Sequence, residues 1–341
     1  MKSWNYLILL CLPAMVVAGY LLRGWWNFLV PLCALLAFPV AKFFLSGAED
    51  HAHANREHGL ASYNFIALSF VPVLIGLTWW CLHVISKIET DAVSFCGLAF
   101  SLGIVNGALG FTLAHEFIHR FTKTGQAAGY LLLLQNNYMH YGIEHVRGHH
   151  VYACTPEDPH TARIGESVYG FLPRSVICMY RSAWKLEMKR LSKKGYQRPH
   201  LHNRMLLFGL LQIGLTSIIF FAFGFSALLF FLAQNVVAIV LQHIINYMQH
   251  YGLMRKMTSD GRYEKLNLHH AWNTGRSNSS LNLFHLENHS DHHMHPGLPF
   301  EKLIHKHDSP EHPAGYSFMV LLSLVPPLWF KIMNKRIPSH V

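Results

Sequence analysis

Charge is scarce in this chain. Only 13% of its 341 residues are Asp, Glu, Lys or Arg, while 51% are hydrophobic. With a mean hydropathy of +0.21, that balance excludes an ordinary soluble domain. Acidic residues are the rarer sign, 18 against 28 Lys and Arg, which leaves a formal net charge of +10. Cysteine is equally uninformative as chemistry. The six cysteines form no CxxC pair, and Cys11, Cys33, Cys81 and Cys96 sit inside apolar runs as small hydrophobes. Neither a disulfide framework nor a thiolate metal site is expected. Repeats, low-complexity segments and a separate soluble domain are missing too. So is any flavin, haem or iron–sulfur motif, so redox chemistry here would need electrons from another protein.

What the chain does have is long apolar runs and 26 histidines. The runs lie near residues 5–22, 25–45, 62–86, 92–114, 206–222 and 224–245. Each approaches the roughly 20 residues that a helix needs to cross about 30 Å of hydrocarbon. The first has only Lys2 ahead of it, and Ala14, Ala18 and Gly19 make a weak cleavage site, so a helical hairpin with the second run is expected instead of a signal peptide. A further run near 316–332 is broken by Pro326-Pro327, and short runs at 129–134 and 170–179 read as interfacial. If the N-terminus is cytoplasmic, 26 of the 28 Lys and Arg fall on that side, with only Arg23 and Lys87 opposite. The positive-inside rule therefore puts both termini and the segments 115–205 and 246–341 in the cytoplasm. The same count accounts for the basic balance without nucleic acid. The run Arg181, Lys185, Lys189, Arg190, Lys193, Lys194 suits lipid headgroups or an acidic partner. The expected fold is an all-α membrane protein. It is a single domain over 1–341, with about six transmembrane helices and a cytoplasmic, histidine-rich cap.

The histidines cluster. His115 and His119 in HEFIHR (115–120) are one helical turn apart at the end of the fourth run. Alone, HExxH suggests a zinc protease with Glu116 as the base. His145, His149 and His150 in EHVRGHH (144–150) form a second group, and His289, His292 and His293 in NLFHLENHSDHH (282–293) a third at i, i+3, i+4. His250 ends the sixth run in NYMQHYGL (246–253). All fall on one predicted side of the membrane. A catalytic zinc takes three protein ligands. Nine imidazoles fit two metals of four or five ligands each, and ligand type alone leaves iron, zinc, copper and nickel open. Gly103, Gly107 and Gly110 at i, i+4, i+7 would either leave room for a substrate or pack helices closely.

Together these boxes resemble the membrane-bound alkane hydroxylases (alkane 1-monooxygenases) of the wider fatty acid desaturase and hydroxylase group. TPEDPHTARIGES (155–167) and FLPRSV (171–176) extend the likeness, which runs from about 100 to 305. Two departures stand out. Gln249 occupies a position where that family usually carries glutamate, and Asn288 stands where its RHSDHH box has arginine. Gln249 and HHAWN (269–273) look more like xylene monooxygenase, which oxidises aromatic methyl groups.

The resemblance implies two irons in the cytoplasmic cap. Their ligands would be His115, His119, His145, His149, His150, His250, His289, His292 and His293, with His270 and His285 weaker candidates. Glu116, Glu144, Gln249 and Asp291 beside them would orient the rings. It further implies O2-dependent hydroxylation of a terminal methyl, most simply a medium-chain n-alkane to a 1-alkanol, in a bacterial inner membrane. The electron donor would be rubredoxin with its reductase, or a ferredoxin-type iron–sulfur flavoprotein reductase. An aromatic methyl monooxygenase, a fatty acyl desaturase and a non-enzymatic membrane metal carrier are the alternatives. A carrier would be expected to hold ionisable groups midway through its spans.

Overall fold

A computed structural model describes residues 3–37, 60–87, 90–196, 200–274 and 284–338. Among them there is no strand beyond two isolated bridges, Met257 with Tyr263 and Asn273 with Glu311. Four helices are long and apolar enough to cross a membrane: Trp4–Leu22, Tyr63–Lys87, Ala92–Ile118 and Arg204–His250. The second expected run is helical and apolar over Gly24–Ala37; its remainder, 38–45, lies outside the described residues, as does most of the connection at 46–61.

The chain forms two compact units whose sequences interleave. The first comprises Met1–Tyr138, Leu210–Gln242 and Ser277–Phe284, and the second Met139–Gly209, His243–Arg276 and His285–Val341. In the first unit, helix Ala92–Ile118 is started by Asp91, whose carboxylate accepts from the Val93 and Ser94 amides at 3.0 Å. A π-turn at Asn106–Gly110 interrupts it before Phe111–Ile118 resumes the α form. Gly103 and Gly107 are helix-packing positions. A Cβ on Gly103 would meet Val237 Cβ at 2.5 Å and the Gln234 carbonyl oxygen at 2.7 Å, and one on Gly107 would meet Leu241 and Ala238 at 3.0–3.2 Å. Small residues let two apolar helices approach where lipid offers no hydrophobic drive for association. Gly110 differs, since its nearest neighbours would stand at 3.6 Å.

Helix Arg204–His250 has 47 residues, about 70 Å if straight and over twice the hydrocarbon thickness. It is not straight. Gly224 leaves helical geometry at φ 83°, ψ −179°, a conformation that glycine tolerates and side chains resist. The break falls where the expected run at 206–222 gives way to that at 224–245. Asn203 caps the start by accepting from the Met205 amide at 2.8 Å.

In the second unit, helix Val168–Ser192 is capped by Ser167. The run near 316–332 is two short helices, Tyr316–Ser323 and Pro326–Met333, divided where Pro326-Pro327 opens the second. Proline suits the first helical turn because its missing N–H has no partner there.

Gly103→Ala should be destabilising by about 1–3 kcal/mol, because the backbone carbonyl of Gln234 cannot rotate away. A thermal melt of the purified variant that matched the parent would show that the two helices can separate freely.

Candidate metal centre

The second unit gathers most of the histidine motifs by local geometry. Tyr141–Glu144 is α-helical, His145–His149 is a π-turn, and His150–Tyr152 returns to α. The widened turn carries i+4 and i+5 to either side of i, so His149 and His150 flank His145. The short helix His289–Met294 puts His289, His292 and His293 on one face. His250 arrives from the end of the long helix.

Two sets of ring nitrogens result. In one, the Nε2 atoms of His250, His289 and His293 lie 3.0–3.1 Å from each other in all three pairs. His149 joins them, and the four ligand atoms all fall within 4.8 Å of one another, all on buried residues. In the other, His150 Nε2 is 3.1 Å from both His145 Nε2 and His292 Nε2.

These contacts cannot all be hydrogen bonds. A ring nitrogen carries either a proton or a lone pair. Three nitrogens in mutual contact therefore always include one like pair. A cation resolves the conflict. Ligands at about 2.1 Å and right angles around one ion stand about 3.0 Å apart. The remaining ring nitrogens fix which form is present. His250 Nδ1 donates to the His270 carbonyl at 3.1 Å, and His149 Nδ1 donates to Asp158 at 3.0 Å. With Nδ1 protonated, each turns a bare Nε2 lone pair toward the set. Burial, then the neighbouring imidazoles His293 and His250, hold His289 well below the ordinary histidine range, so it too is a neutral ligand. The residues present fit a bound metal ion.

In the first unit, His115 and His119 close helix Ala92–Ile118 with ring centroids 5.0 Å apart. Burial pulls His119 down to about 4, which keeps that ring neutral. Glu116 is bound by Arg120 at 2.7 Å, and Arg120 also donates to Asn64. A carboxylate held this way is poorly placed to act as a protease base.

The other expected orienting groups have definite partners. Glu144 meets His160 Nε2 at 3.0 Å and accepts from Ser182 at 3.2 Å. Gln249 donates to the Tyr316 hydroxyl at 3.0 Å. Asp291 accepts from the Ile304 amide at 2.9 Å and faces Lys306 at 3.4 Å and His295 at 3.2 Å. His270 contributes its carbonyl to His250, while its ring accepts from the Asn267 amide at 3.0 Å and lies 3.4 Å from Glu264. The His285 ring stacks on Phe300 at 6.5 Å.

Sequence reasoning missed two residues. Asp158 is the carboxylate that orients a ring of the histidine set, and it also accepts from the Thr161 hydroxyl at 2.6 Å and the His160 amide at 3.1 Å. His160 is wholly buried 4.8 Å from the His149 ring centroid. Burial pushes His160 down, but Glu144 and Asp158 outweigh it and raise it. The only signal was their shared place in TPEDPH, a proline-flanked stretch just after the second box.

The fatty acid desaturase profile matches residues 92–319, which contain every one of these histidines. The chain belongs to the fatty acid desaturase family. Within that family it is similar to alkane 1-monooxygenase 1 of Pseudomonas aeruginosa, at 43% identity over 83% of this chain and 74% of the relative. Alkane 1-monooxygenase 2 of Alcanivorax borkumensis matches at 35% over 82% of this chain and 73% of its own length. The xylene/toluene monooxygenase hydroxylase component of Pseudomonas putida matches at 28% over 78% and 71%. In this desaturase-family chain the histidine boxes are thus joined to one fold, not scattered matches to short patterns.

Asp158→Asn leaves the backbone contacts near their places but replaces the charged acceptor of His149. Affinity for cobalt(II), followed by its ligand-field absorption, should fall about 10- to 100-fold. Unchanged affinity would mean that Asp158 supports only the loop.

Proposed function

We propose that this chain is an integral membrane monooxygenase that inserts one oxygen atom of O2 into the terminal methyl of a medium-chain n-alkane. The reaction is RH + O2 + 2 electrons + 2 protons → ROH + water. The observation that carries this reading is the buried imidazole set of His149, His250, His289 and His293, whose mutual Nε2 contacts only a cation resolves. We read nine ligands for two iron ions: His145, His149, His150, His250, His289, His292 and His293, with His115 and His119 added on the strength of their motif. The alkane 1-monooxygenase names of the relatives support the substrate class. The irons, when bound, supply the oxidation of an unactivated C–H bond that side chains cannot perform.

The chain's own residues do the rest. Asp158 and the His270 carbonyl hold the His149 and His250 rings in one tautomer, so their lone pairs need no rearrangement. The burial of His149, His250, His289 and His293 keeps water from that set. We read the whole chain as one catalytic domain with six crossings, counting Arg204–His250 as two, in a bacterial inner membrane with both termini cytoplasmic.

Electrons come from rubredoxin or a ferredoxin-type reductase in this reading. Helix Val168–Ser192 exposes Arg181, Lys185 and Lys189 at four-residue spacing. Arg190 is different: it grips the buried Glu187 at 2.6 Å, so it ties the helix down and is not free to dock. Opposite potentials speed encounter more than they tighten the complex.

Membranes given a working donor, 18O2, octane and p-xylene should yield 1-octanol carrying one labelled oxygen. A benzylic alcohol as main product would move the substrate to aromatic methyl groups, as in the xylene/toluene relative. An alkene without label would make the chain a desaturase. His289→Ala should abolish product and lower bound iron. Reversing Lys185 and Lys189 to Glu together should raise the apparent KM for an acidic donor about 3- to 10-fold at low salt, with kcat little changed; an unaltered KM would remove this face as the docking site.

A further inference from the structure

Inside the first unit lies a cluster of buried amides on three candidate membrane helices and the end of a fourth helix. Asn106 is the hub, wholly buried at the π-turn. Its Nδ2 donates to Gln234 at 2.9 Å and to Thr78 at 3.2 Å, and its Oδ1 accepts from Gln135 at 3.2 Å. Gln135 also donates to the Leu74 carbonyl at 3.4 Å, Asn136 donates to the Leu132 carbonyl at 2.8 Å, and Gln234 donates to Asn235.

The network does not close. Gln135 Oε1, Asn136 Oδ1 and Asn235 Nδ2 have no protein partner, although every one of these residues is at least nine-tenths buried. Turning the amides over does not help. Gln135 and Asn136 already aim their NH2 groups at carbonyl oxygens, and a flip would set oxygen against oxygen. Asn235 already receives an NH2 on its oxygen. Polar groups left unmet within a membrane bundle are costly, and such residues mark function by default.

At Gly110 the cluster leaves space for a methyl-sized group. A methyl group on Gly110 would stand 3.6 Å from both Asn106 Oδ1 and Asn136 Nδ2, without a clash. The unmet atoms include both acceptors and a donor. An anion would meet only the donor, and an alkane would meet nothing. A hydroxyl donates and accepts, so it matches the set.

We propose that this amide cluster is a hydroxyl-binding site within the helical bundle, occupied by water or by the hydroxyl end of a straight-chain alcohol. Asn106 lies nine residues before His115 on one helix, about 13 Å along its axis, comparable to an extended chain of about ten carbons. The alcohol source rests on the hydroxylation proposed above; the hydroxyl site does not.

The test is thermal unfolding of the full iron-loaded chain in nanodiscs, alone and with saturating decane or 1-decanol. Gly110→Ala removes a helical glycine where a methyl fits, so an empty cluster predicts a higher Tm. An occupied one predicts a Tm lower by at least about 2 °C, because the methyl displaces the bound oxygen. Asn136→Leu also breaks the hydrogen bond to the Leu132 carbonyl, so its own Tm is not diagnostic and it is read only by whether the 1-decanol shift is lost. A lower Tm with a shift specific to 1-decanol, lost in both variants, identifies the alcohol. A lower Tm with equal shifts for decane and 1-decanol identifies water. An unchanged or higher Tm in Gly110→Ala overturns the site. None of these readings needs turnover, so failure to hydroxylate alkane leaves them intact.

Discussion

The crowding of neutral imidazoles is the constraint on which the second unit depends. Three Nε2 atoms at 3.0–3.1 Å from each other on His250, His289 and His293 have no consistent hydrogen-bond solution. Such an arrangement is stable only with a cation between the lone pairs, and only if every ring is prevented from turning away. For two rings of the set, His250 and His149, backbone and loop groups meet the second condition. The His270 carbonyl holds one ring and Asp158 another. Burial adds the third condition, neutrality, by making a protonated ring expensive.

That arrangement explains features that look incidental in isolation. The π-turn at His145–His149 spends one regular hydrogen bond to bring adjacent histidines to either side of a third. A side chain on Gly148 would strike the Glu144 carboxylate, so the box needs glycine at its centre. The Gly-Leu that follows Tyr251 is equally tight. Gly252 has φ 71° and a Cβ there would press on Ile337, which lets the chain turn sharply out of the long helix directly after His250.

The helical unit solves a different problem. It must bury helices that are apolar on every side, and it does so by close approach at Gly103 and Gly107 and by an amide network around Asn106. The two devices sit within one turn of each other on one helix. Close packing is complete where the glycines meet Val237 and Ala238, and incomplete where Gly110 faces the amides. Polarity without full satisfaction in an apolar setting is what separates this cluster from ordinary packing.

Much of this was legible in the residues. Runs of apolar residues are read against a fixed hydrocarbon thickness, and histidines at i, i+4 or i, i+3, i+4 share a face in any helix, so the helical character and the ligand groups follow from local periodicity. The Pro326-Pro327 break follows from a missing N–H. The split of the long apolar stretch into runs at 206–222 and 224–245 already marked the break near Gly224, but sequence alone could not give its geometry. Nor could it choose between the two readings of Gly103 and Gly107, or give Asp158 its role. His149 and Asp158 are nine residues apart across an irregular loop, and His250 meets His289 across 39 residues. Nor does adjacency reveal the partners of side chains next to a ligand in sequence, such as Arg120 for Glu116 and the Ile304 amide for Asp291. Local periodicity determined which residues share a face; only the tertiary fold decided which faces meet, since that depends on loop paths and packing that no single stretch encodes.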